Sequence, residues 1–218
     1  MRTIDLDSWL RREHFHLYKA MEFPHINMCM QVDITDLWAR RKETDVSPTV
    51  ILTYVITRAA NNVPEFRQRI QGDLVVEYDI IHPLITVLGE NDLFGVTTLE
   101  YDPDFNTFAA SAGEIILKAR DNPSLTEFPH DPGGKPARDD LLSITILPWL
   151  AFTGFSITRR PQNDTIPLMA WGKVRQDGEG SQLPVFINSH HALVDGVHIA
   201  HFVKYIGDEA KKLADSFE

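Results

Sequence analysis

Hydrophobic residues recur at helical spacing in two long segments of the chain. Ser47 and Pro48 suit the N-cap and the first turn of a helix, and apolar residues follow at three- and four-residue steps. These apolar residues are Leu52, Val55, Ile56, Ala59 and Val63. A second periodic run extends from about Gly196 to Phe217, directly after Asp195, which is placed to cap it. The pattern therefore predicts two long amphipathic helices.

Three further helices are predicted from polar residues that stand before apolar ones. Asp7 and Ser8 are expected to cap a short helix that runs through Tyr18. The other two are expected over residues 35–42 and 104–120.

Runs rich in alternating or β-branched residues predict the strands. The predicted strands cover 27–34, three runs within 73–99, then 142–147, 152–158, 166–174 and 183–191. Asn91-Asp92 and Asp177-Gly178 are typical of turns. The stretch 122–140 holds four prolines and two glycines and is expected to be the longest loop. Helices and strands are interspersed without strict alternation, so we expect an α/β or α+β layer with a mixed sheet.

Composition narrows the class of protein. The 218 residues are 43% hydrophobic and 24% charged, and we expect one globular domain over residues 1–218. A net charge of −10 argues against a nucleic-acid or anionic-membrane surface. Cys29 is the sole cysteine, which excludes an intrachain disulfide and suits a reducing compartment. We find no signal peptide and no apolar run long enough for a membrane span, so a cytoplasmic protein is predicted.

The segment Phe186–Gly196 carries the most chemistry, because it pairs His190-His191 with an Asp-Gly four residues later. On the predicted strand, His191 ends a largely apolar row at the carboxyl edge, where open α/β sheets bind ligands. A neutral imidazole there can accept a proton near pH 7. Asp195 could orient this histidine, cap the helix that follows or pair with an arginine, and spacing alone leaves these alternatives open.

Other chemistries find weaker support in the sequence. His191 could simply be a hydrogen-bonded structural histidine. A metal site would use imidazoles and a carboxylate within residues 190–201, yet no zinc spacing such as H-E-x-x-H occurs. These possible ligands are His190, His191, Asp195, His198 and His201. The chain also lacks G-x-S-x-G, G-x-G-x-x-G and Walker motifs, which argues against serine-hydrolase, Rossmann and P-loop enzymes.

Three motifs resemble those of the chloramphenicol acetyltransferase family. HHALVDGVH at 190–198 is similar to its signature HHAVCDGFH, and Trp9–Phe15 is similar to W-x-R-[RK]-E-H-F. Leu147–Phe152 resembles the S-A-x-P-W-x-x-F segment. The resemblance spans almost the whole chain. H-x-x-x-D-G alone is less specific, since dihydrolipoyl acyltransferases and peptide-synthetase condensation domains share it.

The resemblance implies an α/β two-layer sandwich in which helices cover a mixed sheet. It also implies a homotrimer with active sites at subunit interfaces, and acetyl transfer from acetyl-CoA to a hydroxyl, most simply that of chloramphenicol. A different hydroxylated small molecule as acceptor, or a non-catalytic trimeric binding protein of the same fold, stays an alternative.

The resemblance also assigns expected roles to residues. His191 matches the general base, and Thr145 stands where the family has a serine that hydrogen-bonds the tetrahedral oxyanion. Asp195 matches an aspartate that pairs with the arginine at Arg11 and so supports the site. The expected substrate-binding positions are Tyr18, Phe94, Phe128, Phe155 and Ile157.

Four positions depart from the family pattern. Ala170 stands where a pocket threonine is expected, and Arg159 replaces a small apolar residue near the pocket. Val194 and Val197 replace the cysteine and the phenylalanine of the signature. Acetyl transfer stays the predicted activity, while the identity of the acceptor is left open.

Overall fold

In the computed structural model, which describes residues 1–90, 92–127, 138–159 and 164–217, helices cover one face of a mixed β-sheet. The helices are α1 (Arg12–Lys19), α2 (Thr35–Arg40), α3 (Pro48–Asn61), α4 (Phe105–Asp121) and α5 (Gly196–Asp215). Short 3-10 turns cover Arg41–Glu43 and Pro64–Arg67. Within the described ranges, no helix has both the length and the apolar character that a membrane crossing requires.

Among the described residues, ten strands form two sheets. They are β1 (Arg2–Thr3), β2 (His25–Asp33), β3 (Gln68–Gln71), β4 (Leu74–Glu77), β5 (His82–Leu88), β6 (Phe94–Thr98), β7 (Leu141–Leu147), β8 (Leu168–Gly172), β9 (Arg175–Asp177) and β10 (Gly180–His190). The large sheet has the order β2-β10-β8-β7-β5-β6, and β9 pairs with the start of β10. The pairs β5/β7 and β7/β8 are parallel and the other pairs are antiparallel. A small sheet has the order β1-β4-β3.

The main core lies between the helices and one face of the large sheet. Alternate residues of β10, Val185 and Ile187, are buried there together with the apolar side of α5. Helix α3 is buried on most of its surface and begins as predicted, because the Ser47 hydroxyl accepts the N–H of Val50 at 3.3 Å. The predicted mixed sheet covered by helices is confirmed, and the single domain over 1–218 stays a prediction.

The N-terminal helix begins later than the sequence pattern predicted. The Asp5 carboxylate accepts both the N–H of Asp7, at 3.1 Å, and the hydroxyl of Ser8, at 2.8 Å. The local turn at Asp5 therefore uses the groups that were expected to cap the helix. Helix α1 starts at Arg12 instead.

The predicted strand at 152–158 is wrong, because this segment crosses the sheet face opposite the helices. The rings of Phe152 and Phe155 lie 5.4 Å apart, and Phe155 packs at 4.8 Å on the buried Phe186 of β10. These aromatic side chains are partly buried by packing onto the sheet, and the backbone of the segment does not join the ladder. The sequence pattern also missed the polar strand β3.

The two turn predictions and the long-loop prediction have different outcomes. Gly178 has a φ of +59° between β9 and β10, as the Asp-Gly signal predicted. Asp92 has a φ of 59° between β5 and β6, and Asn91 lies outside the described residues. Residues 128–137 of the predicted loop 122–140 also lie outside the described residues. In the described part of this loop, the Ser124 carbonyl accepts the N–H of Val96 in the edge strand β6.

Replacement of Gly172 by alanine is expected to destabilise the fold. A Cβ at Gly172 would lie 2.4 Å from the Leu150 carbonyl oxygen and 2.8 Å from the Phe152 ring. Such overpacking costs about 1–3 kcal/mol of the free energy of unfolding, measurable by urea denaturation. Gly113→Ala is the control, because nothing lies within 4 Å of that position in α4, and alanine there stabilises a helix by about 0.5–1 kcal/mol. An unchanged urea midpoint for Gly172→Ala would contradict the close approach.

Candidate active site

The chain reverses direction immediately after β10, and His191 is the first residue beyond the strand. Its N–H donates to the Pro24 carbonyl at 2.7 Å, which extends the pairing with the β2 side by one step. The N–H groups of Leu193 and Val194 both donate to the His190 carbonyl at 3.0 Å. This turn leads into α5 at Gly196, so the predicted junction of strand and helix is present.

The imidazole of His191 has its Nδ1 atom directed at two acceptors. Nδ1 lies 3.1 Å from the Val194 carbonyl oxygen and 3.0 Å from Asp195 Oδ1. Because both partners only accept hydrogen bonds, the neutral ring carries its proton on Nδ1 and a lone pair on Nε2. The side chain is 24% exposed. It can therefore accept a proton from a molecule that reaches Nε2.

The Tyr18 ring packs flat against this imidazole and fixes the orientation of its plane. The two rings are stacked, with centroids 3.9 Å apart and an interplanar angle of 14°. Tyr18 lies on α1, so the first helix packs its aromatic side chain directly on His191. Tyr18 was expected to contact an acceptor, and its observed partner is the candidate base.

Arg11 binds both ends of the His191 turn through hydrogen bonds. Its Nη1 donates to Asp195 Oδ2, and its Nη2 donates to the His191 carbonyl at 3.2 Å. Burial disfavours the charged form of Asp195, but the hydrogen bond and the charge of Arg11 outweigh it and hold the carboxyl pKa below its ordinary value. Asp195 also contacts the histidine and occupies the N-cap position of α5. The structure thus combines all three arrangements that spacing left open for this residue.

Two neighbouring histidines contact the backbone of the same turn. Nδ1 of His198 accepts the N–H of Asp195 at 2.9 Å, and Nδ1 of His190 accepts the N–H of Ala192 at 3.2 Å. The sequence reading considered both only as possible metal ligands. His198 occupies the N3 position of α5, where a side chain can bond back to the N-cap, and this spacing from Asp195 was the available signal.

Thr145 lies far from His191 of the same chain. The sheet register aligns Thr145 with Ala170 and Ala170 with Phe186, on the face opposite the helices. His191 is five residues beyond Phe186 and two strands away from β7. Strand spacing of about 4.8 Å and a rise of about 3.3 Å per residue place the Thr145 and His191 Cα atoms roughly 20 Å apart.

A hydroxyl beside Thr145 was missed by the sequence reading. The register of β5 with β7 ends at Ile85 and Ile144. Beyond that point the Thr86 hydroxyl accepts the N–H of Ile146 at 3.0 Å. A side chain thus satisfies the backbone where the two strands part, next to Thr145.

The described pocket residues belong to segments other than the His191 turn. Phe155 and Ile157 belong to the segment that crosses the sheet face, and Phe94 begins β6 with 52% of its surface exposed. Phe128 lies outside the described residues. In the described ranges, no hydrogen bond or ring contact joins Phe94, Phe155 or Ile157 to His191.

Arg159 is buried and paired with its own chain. Its side chain is 7% exposed, and it forms an ion pair with the Asp164 carboxylate at 3.1 Å. Nη2 also donates to the carbonyls of Asp164 and Ile166, at 3.2 and 2.6 Å. The departure from a small apolar residue therefore does not present a free cation to an acceptor.

Neither of two surface cavities includes the His191 turn. Two surface cavities, of about 500 and 330 Å³, lie beside α5, and His191 lines neither of them. Across the described ranges, no group of three or more His, Cys, Asp or Glu side chains could hold a metal ion. The metal hypothesis thus gains no support there.

Comparison with known proteins places the chain in a family. The family model described as chloramphenicol acetyltransferase matches residues 1–207. Chloramphenicol acetyltransferase 2 of Escherichia coli is 33% identical over 202 residues, which are 92% of each chain. The chloramphenicol acetyltransferase of Bacillus pumilus is 30% identical over 202 residues, covering 92% of this chain and 89% of that protein.

Solved structures agree with this placement. A chloramphenicol acetyltransferase superimposes with a TM-score of 0.87 at 29% identity and covers 95% of this chain and 98% of its own. The dihydrolipoamide acetyltransferase of Azotobacter vinelandii shares the fold, with a TM-score of 0.64 at 18% identity over 92% of this chain and 86% of its own. Because the family model matches nearly the whole sequence and relatives reach 30% identity along it, this chain belongs to the chloramphenicol acetyltransferase family.

Proposed function

We propose that this protein is an acetyl-CoA-dependent O-acetyltransferase whose acceptor is chloramphenicol. The observation that carries the proposal is the His191 ring, because its Nδ1 proton is committed to Val194 and Asp195 and its Nε2 lone pair is left to act as a base. The relatives that match along the chain are chloramphenicol acetyltransferases. The single cysteine suits a reducing compartment, and we place the enzyme in the cytoplasm.

In this mechanism the acceptor hydroxyl donates its proton to Nε2 of His191 as its oxygen attacks the thioester carbonyl of acetyl-CoA. The new C–O bond forms while the carbonyl becomes an oxyanion. Collapse of this intermediate breaks the C–S bond, and the imidazolium returns its proton to the departing thiolate. Asp195 stabilises the transient imidazolium by its negative charge, and Tyr18 keeps the ring plane fixed.

The hydroxyl of Thr145 donates a hydrogen bond to the oxyanion in this proposal. With Thr145 and His191 roughly 20 Å apart in one chain, both can act on the same carbonyl only if a second copy supplies one of them. Trp149, just after β7, is 53% exposed, and the neighbouring Leu150 is also exposed, which favours cover by another copy. We therefore propose a homotrimer with shared sites, the assembly that the family resemblance implies.

A second candidate function retains the chemistry and changes the acceptor. Ala170 supports it, because this residue is paired with Thr145 across the sheet and offers no hydroxyl to hold a water near the intermediate. The buried and paired state of Arg159 favours an uncharged acceptor. A panel of hydroxylated antibiotics and metabolites, compared by kcat/KM with acetyl-CoA, decides between chloramphenicol and another acceptor.

Replacement of His191 by alanine is expected to lower kcat for acetyl transfer to chloramphenicol by about 10²–10⁴-fold, because the general base is lost. Thiol release from acetyl-CoA measures the rate. Thr145→Val removes the oxyanion donor and is expected to cost about 10²-fold, whereas Thr145→Ser keeps the hydroxyl and most of the rate. Equal rates for wild type and His191→Ala would remove His191 from the mechanism. If only another alcohol is acetylated by the wild type, the second candidate is correct.

Mixing two inactive variants tests the shared site. Hetero-oligomers of His191→Ala and Thr145→Val contain interfaces where one copy supplies the intact histidine and the other the intact threonine. Random mixing is expected to restore about one quarter of the wild-type activity. His191→Ala mixed with Asp195→Asn is the control, because both changes impair the same half of the site and no interface is restored. Absence of recovery in the first mixture would contradict the shared site.

The ion pair of Arg11 with Asp195 is expected to stabilise the fold measurably. A double-mutant cycle with Arg11→Met and Asp195→Asn should give a coupling free energy of about 1–2 kcal/mol in urea denaturation, because both side chains are mostly buried. The control cycle uses Arg12→Met and Asp7→Asn, an exposed ion pair at 3.2 Å, where no measurable coupling is expected. Equal coupling in the two cycles would show that the Arg11 contact is not special.

A further inference from the structure

His198 lies behind the turn that carries the candidate base, and it contacts that turn through one atom. Nδ1 accepts the backbone N–H of Asp195 at 2.9 Å, so the neutral ring carries its proton on Nε2. The His198 side chain is 14% exposed. It does not contact His191, yet it fixes the residue whose carboxylate contacts His191 Nδ1.

Charged groups surround the His198 ring on several elements. Nε2 lies 3.6 Å from Glu65 Oε1, on the 3-10 turn that follows α3. Arg11 near α1, Asp195 at the N-cap and His201 on α5 also act on its charge. The ring is therefore held between a carboxylate at Nε2 and a backbone donor at Nδ1.

We infer that His198 is a positioning residue for His191: by accepting the Asp195 N–H, it directs the Asp195 carboxylate at both Arg11 and the His191 ring. This inference rests on the proposed function. A reach-back bond from N3 to the N-cap is common when the N3 residue is Glu or Gln, which do not change this bond near neutral pH. Here an imidazole makes the bond, and only its neutral form can do so.

The use of an imidazole links the geometry of the site to pH. When Nδ1 is protonated it becomes a donor and faces the Asp195 N–H, so the bond is lost. Burial lowers the pKa of His198, and although the Glu65 charge opposes this effect, the net pKa stays below the ordinary value of about 6.5. The positioning bond is thus complete above that value and is lost as the pH falls through the lowered pKa.

Protonation of His198 should therefore lower the kcat/KM of the wild-type enzyme at low pH. Because loss of the bond leaves the base misaligned rather than absent, this protonation should add a further loss of about tenfold in kcat/KM at the acid end. His198→Gln supplies an amide oxygen that accepts the N-cap N–H and does not titrate. This variant is expected to keep kcat at pH 8 within about threefold of wild type and to lack the further tenfold loss at the acid end.

Two further variants complete the test. His198→Leu removes the acceptor, and we expect kcat at pH 8 to fall about tenfold with little change in KM, since the base is misaligned. Circular dichroism at the assay temperature gives the folded fraction, to which kcat is normalised. His201→Gln is the matched control, because His201 is exposed on the same helix. It should keep the further acid loss of wild type, moved to slightly higher pH because the His201 charge that lowers the His198 pKa is gone. A further tenfold acid loss that persists in His198→Gln, or wild-type kcat in His198→Leu, would overturn the inference.

A measurement without turnover separates this inference from the proposed function. Two-bond ¹H–¹⁵N spectra of the histidine rings should show His198 protonated on Nε2 at pH 8, with the Asp195 amide signal moving as His198 titrates. Protonation on Nδ1 would contradict the positioning bond. A wild type that transfers no acetyl group would defeat the proposed function, while the ring spectra would still decide whether His198 holds Asp195.

Discussion

The shape of the His191 turn depends on one guanidinium. Arg11 donates to the Asp195 carboxylate and to the His191 carbonyl at the same time, and so it ties the two ends of the turn together. A lysine, which is a compact point charge, could not reach both acceptors with the same fixed geometry. The negative charge that Arg11 maintains on Asp195 is the charge that orients Nδ1 of the candidate base. Position and electrostatics in the site thus have a common origin.

The sheet separates the two groups that the proposed chemistry needs. Its helix-covered side carries His191 against Tyr18, and its opposite side carries Thr145 in line with Ala170 and Phe186. Under the proposed function, each chain presents one half of a site at the end of β10 and another half on the face that Phe152 and Phe155 cross. Under the proposed function, the fold is a scaffold that completes its chemistry at contacts between copies.

Sequence patterns predicted best what local interactions decide. Helix α3 begins at its predicted cap because Ser47 and Val50 are neighbours in the chain, and the Asp-Gly turn needs only its own residues. The error at 152–158 has a clear cause, since aromatic residues that pack onto a sheet have the same pattern as residues inside one. Ser8 failed as a cap because Asp5 competed for it.

The site shows the same division between local and distant interactions. The position of His191 at a strand–helix junction was readable from the sequence, and the capping role of His198 was encoded in its spacing from Asp195. The stack of Tyr18 on His191 joins distant parts of the chain, and no periodicity reveals such a contact. The family resemblance supplied the expected pair of Arg11 and Asp195, whereas the part that Thr86 plays beside Thr145 required the register of β5 and β7.

The pairing of β2 with β10 has a consequence for synthesis on the ribosome. In the described sheet, β2 is an edge strand that pairs with β10 alone. Its backbone hydrogen-bonding groups therefore have no partner strand after residue 33 is translated until residue 180 and those beyond it follow. A nascent chain that carries Arg11 and Tyr18 still lacks the imidazole they will hold. The growing polypeptide therefore carries an unpaired β2 for most of its elongation, and the His191 imidazole is added only when the partner strand β10 is complete.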